Sequence, residues 1–309
     1  MKKTPLVSVL IPTHNYGKFL DEAIQSVLAQ TYAHFELVIV DNHSNDNTSE
    51  VVNKYLTDKR ISFHQNPRNI GLVGNWNRCL GFAKGEYIKF LMADDVFRPS
   101  ILEEMVEVME ANPGVSLVTS NSEIFGSKSR TRISEMTGLQ NGRDVIVKCV
   151  SNGTGNLIGE PTTVMFRKSD VAKVGRFNPN FTCLVDLNMW LRLLEIGDAW
   201  FIPKVLSGFR VHNGQYSART NVSNWIDEYH FYREIKEHNP YRIDASGISL
   251  LGLDQVLKDR AIHCARGMYR MLPKLLTGRN YSTFSQALSI TARERVMKES
   301  FYSILKKYF

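Results

Sequence analysis

The sequence predicts an α/β protein whose mostly parallel sheet is flanked by helices, with a helical C-terminal extension. Two observations lead to this prediction: apolar runs rich in β-branched residues alternate with segments of helical periodicity, and the links between them are short. Crossovers of this kind are right-handed and place helices on both faces of a sheet. The composition agrees, because 43% hydrophobic and 22% charged residues are ordinary for a folded chain of 309 residues.

Five apolar runs in the first part of the chain have the length and composition of buried strands. They are residues 6–11, 35–40, 61–64, 87–92 and 115–119. Segments of helical spacing separate them, and Gly85 stands where one of these helices would end. Two helices have candidate capping boxes at their start, Asn47 with Glu50 and Ser100 with Glu103.

The regular alternation ends near residue 120. Residues 126–160 are rich in Gly, Ser, Asn and Thr, which predicts a long loop region beside a site. The later predicted elements are a strand at 162–166, a helix from Asp186 to Ile196, and helices beyond Trp225 that break near Pro240 and Gly247.

We therefore expect a first domain over residues 1–224, with halves at about 1–120 and 121–224, and a helical extension over 225–309. The net charge of +7 is divided unevenly between them. Residues 1–224 carry 24 basic and 22 acidic residues (+2), and residues 225–309 carry 14 basic and 9 acidic residues (+5). The excess of positive charge therefore belongs to the extension, and no recognition motif accompanies it, so we expect no nucleic-acid partner.

Residues 267–281 and 298–309 mix aromatic, leucine and basic side chains. This mixture is typical of interfacial helices that lie on an anionic membrane. A basic, solvated helical subdomain that packs on the first domain or forms a dimer explains the same composition equally well. The sequence leaves these two alternatives open.

The four cysteines lie far apart in the chain, which argues against a zinc site or a disulfide framework and favours a reducing compartment. The N-terminal apolar run reaches Pro12 after six residues, too few for the core of a signal peptide. No stretch approaches the roughly 18 apolar residues of a spanning helix. We expect a cytoplasmic protein, with peripheral attachment to the inner face of the cell membrane if the extension binds lipid.

Three polar clusters follow predicted strands: Thr13-His14-Asn15, Asp41-Asn42 and Asp94-Asp95. Each could simply form a turn or cap a helix, but together they fall where open parallel sheets bind ligands, beyond the carboxyl ends of the strands. Neither a G-x-G-x-x-G fingerprint nor a G-x-x-x-x-G-K-[ST] phosphate loop is present. Adjacent carboxylates suggest another way to hold phosphates, through Mg²⁺ or Mn²⁺ bridging protein and diphosphate.

Five blocks of sequence carry a family resemblance through their order and spacing. They are VSVLIPTHNYGKFLDEAIQSVLAQTY, FELVIVDNHSNDNT, NIGLVGNWNRCLGFAKGEYIKFLMADD, VDLNMWLRL and FRVHNGQYS. Together they resemble the family 2 glycosyltransferases of the GT-A fold, a Rossmann-like architecture used by bacterial transferases of nucleotide-diphosphate sugars. The resemblance covers about residues 5–215.

The resemblance implies a site for the donor at the ends of the first strands. Its nucleotide-sugar-binding residues would be Pro12, Thr13, Asn15, Asp41, Asn42, Asn69, Asp94 and Arg210. The family usually has a carboxylate that accepts a hydrogen bond from the base where this chain has Asp41-Asn42. A UDP-sugar is the expected donor.

The resemblance also implies a divalent cation, Mn²⁺ or Mg²⁺, with Asp95 as its ligand and Asp94 on the ribose or donor sugar. His212 matches a histidine that approaches the metal in some relatives, although a lone histidine is more often a structural hydrogen-bonding residue. Arg210 is an alternative phosphate partner. Asp186 matches the general base of an inverting transfer, and its alternative role is that of a helix N-cap.

The expected activity is the transfer of a single sugar with inversion to an acceptor hydroxyl, because paired arginines before a tryptophan, the mark of processive enzymes, are absent. By family analogy the acceptor is a saccharide or lipid-linked intermediate of a surface polysaccharide or glycolipid. A nucleotidyltransferase of similar architecture is one alternative, but PTHNYGKF lacks its phosphate-binding loop. A non-catalytic nucleotide-sugar-binding module is another, and it would not need Asp95 and Asp186 together.

Overall fold

The computed structural model describes residues 4–215, 221–244, 252–275, 281–294 and 296. The chain divides into two compact units. The first comprises residues 1–146, 156–179 and 185–212, and the second comprises residues 147–155, 180–184 and 213–309.

One twisted sheet organises the first unit. Its strands are β1 (Val7–Thr13), β2 (Phe35–Asp41), β3 (Ile61–Gln65), β4 (Tyr87–Phe90), β5 (Val96–Phe97), β6 (Val115–Gly126), β7 (Arg130–Arg132), β8 (Gly138–Gln140), β9 (Val164–Arg167) and β10 (Asp198–Val211). The order across the sheet is β3-β2-β1-β4-β9-β6-β10-β5, with β7 on β6 and β8 on β10. The pairs β1–β2, β2–β3, β1–β4 and β6–β10 are parallel. Strand β9 runs antiparallel between β4 and β6. The predicted fold class is therefore confirmed, with β9 and the short strands as antiparallel additions.

Helices connect and cover the strands. They are α1 (Gly17–Leu28), α2 (Thr48–Asn53), α3 (Gly71–Phe82), α4 (Ile101–Ala111), α5 (Gly142–Val150), α6 (Lys168–Val174), α7 (Val185–Leu194), α8 (Asn221–His238), α9 (Leu253–Leu275) and α10 (Tyr281–Arg293). Helix α3 packs on β1 and β2, and α4 packs on β6. Apolar residues at helical spacing, such as Leu20, Ile24 and Val27 of α1, are fully buried in the main core with Val9 and Ile39 of the sheet. The burial of these faces explains why the helical periodicity was readable in the sequence.

The two predicted capping boxes are wrong, because other residues supply the hydrogen bonds at the starts of these helices. Neither Asn47 nor Ser100 makes a side-chain capping hydrogen bond. At α2 the Asp46 carboxylate accepts from the N–H of Thr48 (3.1 Å) instead. At α4 the acceptor comes from 72 residues away, where Gln30 Oε1 accepts from the N–H of Leu102 (3.2 Å). A cap supplied through tertiary structure leaves no local sequence pattern.

The region beyond residue 120 contains more regular structure than its composition predicts. Strand β6 continues to Gly126, and β7, β8 and α5 lie within the segment expected to be a long loop. Strands β7 and β8 have three residues each and pair with one neighbouring strand. They are too short to show the alternation of apolar and polar residues that predicts a strand. The predicted break near Pro240 follows the end of α8 at His238, whereas the break near Gly247 lies outside the described residues.

In the second unit, Asp227 of α8 accepts hydrogen bonds from the N–H groups of Thr182 and Cys183, and Tyr229 donates to Glu294. The helical C-terminal region is thus confirmed. No helix within the described ranges is both long and apolar enough to cross a membrane.

Arg167, at the end of β9, joins several elements of the first unit. Its guanidinium donates to the carbonyl oxygens of Val115 (3.1 Å), Met109 (2.7 Å) and Asn112 (3.2 Å). Because Arg167→Ala leaves these oxygens without their donor, we expect the free energy of unfolding to fall by roughly 3 kcal/mol. Urea denaturation measures the loss, and Arg143→Ala, at an exposed position of α5, is the matched control.

Candidate functional site

The first polar cluster lies where β1, β2 and β3 end side by side. In the parallel register Thr13 pairs with Asp41, and Asp41 pairs with Gln65. The Asp41 carboxylate accepts from the N–H (3.1 Å) and Oγ (2.5 Å) of Ser44 and from Gln65 Nε2 (3.3 Å). Thr13 Oγ1 is buried without a hydrogen-bond partner in the described part of the chain. An orphaned hydroxyl beside a buried carboxylate is the kind of polar edge that a ligand completes.

The residues around this edge hold the loop that follows β2. Pro12 is buried within β1, and Asn15 is exposed in the left-handed region with a φ of 58°. Asn15 Oδ1 accepts from the N–H of Asn45 (2.9 Å), and the Asn15 N–H donates to Ser44 Oγ (2.8 Å). Asn15 thus ties the end of β1 to the loop after β2.

The Asn42 amide is used at both ends by the protein. Its Nδ2 donates to Asn69 Oδ1 (2.9 Å) and to the carbonyl of Gly71 (3.1 Å). Its Oδ1 accepts from Asn66 Nδ2 and from the N–H of Ile70, each at 2.9 Å. An amide oxygen with two donors has no lone pair left for a base N–H. Asn42 therefore holds the loop at 66–71 through both ends of its amide.

The two adjacent aspartates after β4 have different surroundings. Asp95 is fully buried, and each of its oxygens accepts a hydrogen bond, Oδ1 from the Arg210 N–H (2.9 Å) and Oδ2 from Thr162 Oγ1 (2.6 Å). The side-chain partner of Asp94 is His212, with Nε2 3.1 Å from Oδ2. The structure therefore brings His212 to Asp94 rather than to Asp95.

Arg210 packs against this turn. Its guanidinium carbon lies 4.9 Å from the ring centroid of Phe19 and 4.3 Å from that of Phe125. The guanidinium also forms an ion pair with Glu22 and donates through Nε to the carbonyl of Asp94 (2.8 Å). Two of its nitrogens are thus used by the Asp94 carbonyl and the exposed Glu22 carboxylate. In this structure the arginine fixes the shape of the Asp94–Asp95 turn.

Burial raises the pKa of both Asp94 and Asp95. The pKa of Asp95 lies well above its usual range, because the neighbouring Asp94 charge adds to the effect of burial. Lys89 of β4 lies nearby, fully buried, and donates to the carbonyl of Thr162. Burial holds the pKa of Lys89 well below its ordinary value. This pocket of buried acidic groups, with His212 beside it, is of the type that a divalent cation stabilises.

The described residues contain no group of three or more His, Cys, Asp and Glu side chains that could hold a metal ion by themselves. Asp94 and His212 nevertheless fit a cation that takes its remaining ligands from substrate phosphates and water, as Mg²⁺ and Mn²⁺ commonly do. The donor set therefore fits a metal that binds together with a diphosphate.

Asp186 is the second residue of α7. Its Oδ1 accepts from the N–H of Leu187 (2.7 Å), and its Oδ2 accepts from Asn156 Nδ2 (3.1 Å). Burial raises its pKa to about 7, an effect that the Leu187 N–H opposes and the Glu160 charge increases. A carboxylate with such a pKa is well matched to general-base chemistry near neutral pH.

One segment, residues 156–162, contacts both acidic sites. Asn156 binds Asp186 at its start, and Thr162 binds Asp95 at its end. Between them the Glu160 charge raises the pKa of both Asp186 and Asp95. The Glu160 carboxylate is therefore close enough to both acidic sites for its charge to act on each of them.

No motif in the sequence marks Asn156, Thr162, Lys89 or Arg132 as site residues. The only local signal is the lysine inside the apolar run YIKFLM, because a buried lysine needs a reason. The others lie in the Gly- and Asn-rich region or at the edge of a strand, where such residues are ordinary. Hydrogen bonds to residues 30 and 67 positions away in the chain place Asn156 beside Asp186 and Thr162 beside Asp95.

Comparison with known proteins identifies relatives. Residues 8–175 match the family model described as Glycosyl transferase family 2. An uncharacterised protein of Mycobacterium tuberculosis is 31% identical over 66% of this chain and 66% of its own length. An uncharacterised glycosyltransferase of Haemophilus influenzae is 28% identical over 83% of this chain and 80% of its own length. TuaG of Bacillus subtilis, named a putative teichuronic acid biosynthesis glycosyltransferase, is 27% identical over 75% of this chain and 89% of its own length.

Solved structures share the fold. S. aureus TarS 1–349 in complex with UDP-GlcNAc superimposes with a TM-score of 0.62 at 15% identity, over 96% of this chain and 91% of that one. A longer TarS chain is matched over 43% of its length. The mannosyltransferase PcManGT of Pyrobaculum calidifontis, in complex with GDP-Man and Mn²⁺, gives 0.58 at 18% identity, over 95% of this chain and 88% of that one. At these identities the likeness supports the GT-A fold.

Proposed function

Because this chain belongs to glycosyl transferase family 2, we propose that it moves a single sugar from a nucleotide-diphosphate-sugar to an acceptor hydroxyl with inversion at the anomeric carbon. The donor is bound by the half at about residues 1–120 and the acceptor by the half at about 121–224. A UDP-sugar is the proposed donor, with Asp41 accepting from the base.

The observation that carries this proposal is the segment at 156–162. It binds a potential base, Asp186, through Asn156 (3.1 Å) and a buried aspartate of the Asp94–Asp95 pair through Thr162 (2.6 Å). A transferase needs one group for the leaving diphosphate and another for the attacking hydroxyl, on either side of the anomeric carbon. A non-catalytic binding module would need only the first.

The family resemblance implies Asp95, with His212, as the metal ligands and Asp94 on the ribose or donor sugar. We propose instead that Asp94 and His212 are the protein ligands of the metal. Asp95 is then the buried carboxylate that fixes the turn beneath them. The support is that both Asp95 oxygens already accept hydrogen bonds from Arg210 and Thr162, whereas Asp94 meets His212. Held there, Mn²⁺ or Mg²⁺ would supply positive charge that stabilises the diphosphate as a leaving group. One solved structure of similar fold, PcManGT in complex with GDP-Man and Mn²⁺, supports the type of ion.

Asp186 takes the proton of the acceptor hydroxyl as the oxygen attacks. The new bond forms between that oxygen and the anomeric carbon while the bond from that carbon to the diphosphate oxygen breaks on the opposite face. The proton ends on Asp186, and the electron pair leaves with the diphosphate. With a pKa of about 7, Asp186 is substantially ionised at neutral pH yet basic enough to accept a proton as charge develops.

We propose a saccharide or lipid-linked intermediate of a surface polysaccharide or glycolipid as the acceptor, made at the inner face of the cell membrane. The name of TuaG, a putative teichuronic acid biosynthesis glycosyltransferase, supports the polysaccharide class. Docking on an anionic membrane stays a prediction, since residues 276–280 and 297–309 of the basic extension lie outside the described residues.

A thermal-shift screen of UDP-sugars and GDP-sugars, with Mn²⁺ and with EDTA, tests the proposed function. We expect one class of donor to raise the Tm with Mn²⁺ by several degrees, because a ligand that binds only the folded state stabilises it by mass action. Release of nucleoside diphosphate from that donor then confirms turnover, and NMR of the product reports the anomer. If no nucleotide-sugar stabilises the protein and none is consumed, the proposed function is wrong.

A further inference from the structure

Asn156 stands at the start of the segment that links the two acidic sites, and all four hydrogen-bonding positions of its amide are used. Its Oδ1 accepts from the N–H groups of Ile158 (3.1 Å) and Gly159 (2.9 Å). Its Nδ2 donates to the Gly159 carbonyl (2.9 Å) and to Asp186 Oδ2 (3.1 Å). Because two N–H donors face the amide oxygen, the NH₂ group must point toward Asp186.

The segment that carries Asn156 is itself held on several sides. Arg132 of β7 donates to the Asn156 carbonyl (2.7 Å) and forms an ion pair with Glu160. Trp190 of α7, fully buried, donates through Nε1 to the Gly159 carbonyl (3.0 Å). Gly159 has a φ of 130°, and a Cβ there would lie 2.2 Å from Thr163 Oγ1. The Asn156 amide is therefore presented by a rigid support.

Besides Asn156 and its own backbone N–H, which lowers its pKa, the Asp186 carboxylate is acted on by groups of three elements. The Leu187 N–H of its own helix holds Oδ1, the Glu160 carboxylate of the segment raises its pKa, and the Arg132 guanidinium of β7 lowers it. A lysine or arginine in the place of Asn156 would suppress the basicity of Asp186 strongly. A neutral amide orients the carboxylate while leaving most of that basicity.

We infer that Asn156 is a positioning residue for Asp186. It holds Oδ2 while the Leu187 N–H holds Oδ1, so that the plane of the carboxylate is fixed and a free lone pair is directed at the attacking hydroxyl. This inference rests on the proposed function, because it gives Asn156 a purpose only if Asp186 is the base.

Two variants test the inference. Asn156→Ala removes the amide. Asn156→Asp keeps its size and the acceptor for the Ile158 and Gly159 N–H groups, while an oxygen replaces the group that donates to Asp186 and to the Gly159 carbonyl. The probe is the release of nucleoside diphosphate from the nucleotide-sugar selected by the thermal-shift screen, with water in place of the acceptor. The matched control is Asn112→Ala, which removes an amide that donates to the Val108 carbonyl (2.8 Å) at the end of α4.

We expect both Asn156 variants to lower kcat about 10- to 100-fold, a part of what a positioned general base contributes. KM for the donor and the Mn²⁺-dependent rise in Tm should stay within twofold of the wild-type values. The acid limb of kcat against pH should move to higher pH, because Asp186 loses a donor that stabilises its ionised form. Asn112→Ala should leave kcat and the pH profile unchanged.

The outcomes separate this inference from the proposed function. If Asp186→Asn is inactive but both folded Asn156 variants keep the wild-type kcat and pH profile, the positioning role is wrong and the base assignment stands. If Asp186→Asn keeps full activity, the base assignment fails and the inference fails with it. Should Asn156→Ala not fold, Asn156→Asp decides alone, since it preserves the acceptor for the Ile158 and Gly159 N–H groups.

Discussion

Asp186→Asn is expected to lower kcat by about 10²–10⁴-fold, the usual contribution of a general base. The amide cannot accept the acceptor proton, but it is nearly isosteric and can still accept from the Leu187 N–H. Donor binding, measured as the Mn²⁺-dependent rise in Tm with the nucleotide-sugar, should therefore change little. Asp144→Asn, at an exposed position of α5, is the control for a loss of one negative charge. Full activity of the Asp186 variant would contradict the assignment.

The same variant has an effect on stability that does not depend on any substrate. Folding raises the pKa of Asp186 from 3.8 to about 7, so the folded state retains a proton that the unfolded chain has lost. Its contribution to stability is therefore greatest below pH 4 and is lost as pH rises to about 7. Relative to the wild type, the free energy of unfolding of Asp186→Asn should rise across this window by on the order of a few kcal/mol. Its Tm should rise relative to the wild type over the same range of pH. A difference in Tm that does not vary with pH would show that burial does not perturb Asp186.

Asp94→Asn is expected to abolish the Mn²⁺-dependent binding of the nucleotide-sugar and with it measurable turnover. The amide keeps a hydrogen bond to His212 but loses the charge that would hold the cation. The Tm of the ligand-free protein should change little. His212→Gln should weaken Mn²⁺-dependent binding to a smaller degree, because the aspartate remains.

The comparison that decides between the two aspartates is Asp95→Asn. Asp95 accepts from Arg210 and Thr162 in a fully buried position, so an amide there presents an NH₂ group to one of these donors. We expect Asp95→Asn to lower the Tm of the ligand-free protein markedly. If Asp95→Asn instead keeps the Tm and loses Mn²⁺ dependence while Asp94→Asn keeps it, then Asp95 is the ligand, as the family resemblance implies.

Much of the fold was predictable because its first half is built from local patterns. The runs at 6–11, 35–40 and 61–64 became β1, β2 and β3 with ends shifted by no more than two residues. Buried parallel strands consist of continuous apolar residues, which few other structures require. The second half was less readable, since β7, β8 and α5 are short elements whose form depends on the edges they join.

The sequence by itself determined the order of strands and helices in the first half, the polar residues at the strand ends and membership of the glycosyltransferase family. These follow from periodicity and from ordered motifs, both of which are properties of neighbouring residues. Only the tertiary structure decided that Asp95 is enclosed while Asp94 meets His212, that Gln30 caps α4, and that Asn156 and Thr162 hold the two acidic sites. Such hydrogen bonds join residues that are distant in the chain, so the burial and the partner of each group exist only after the sheet has brought them together.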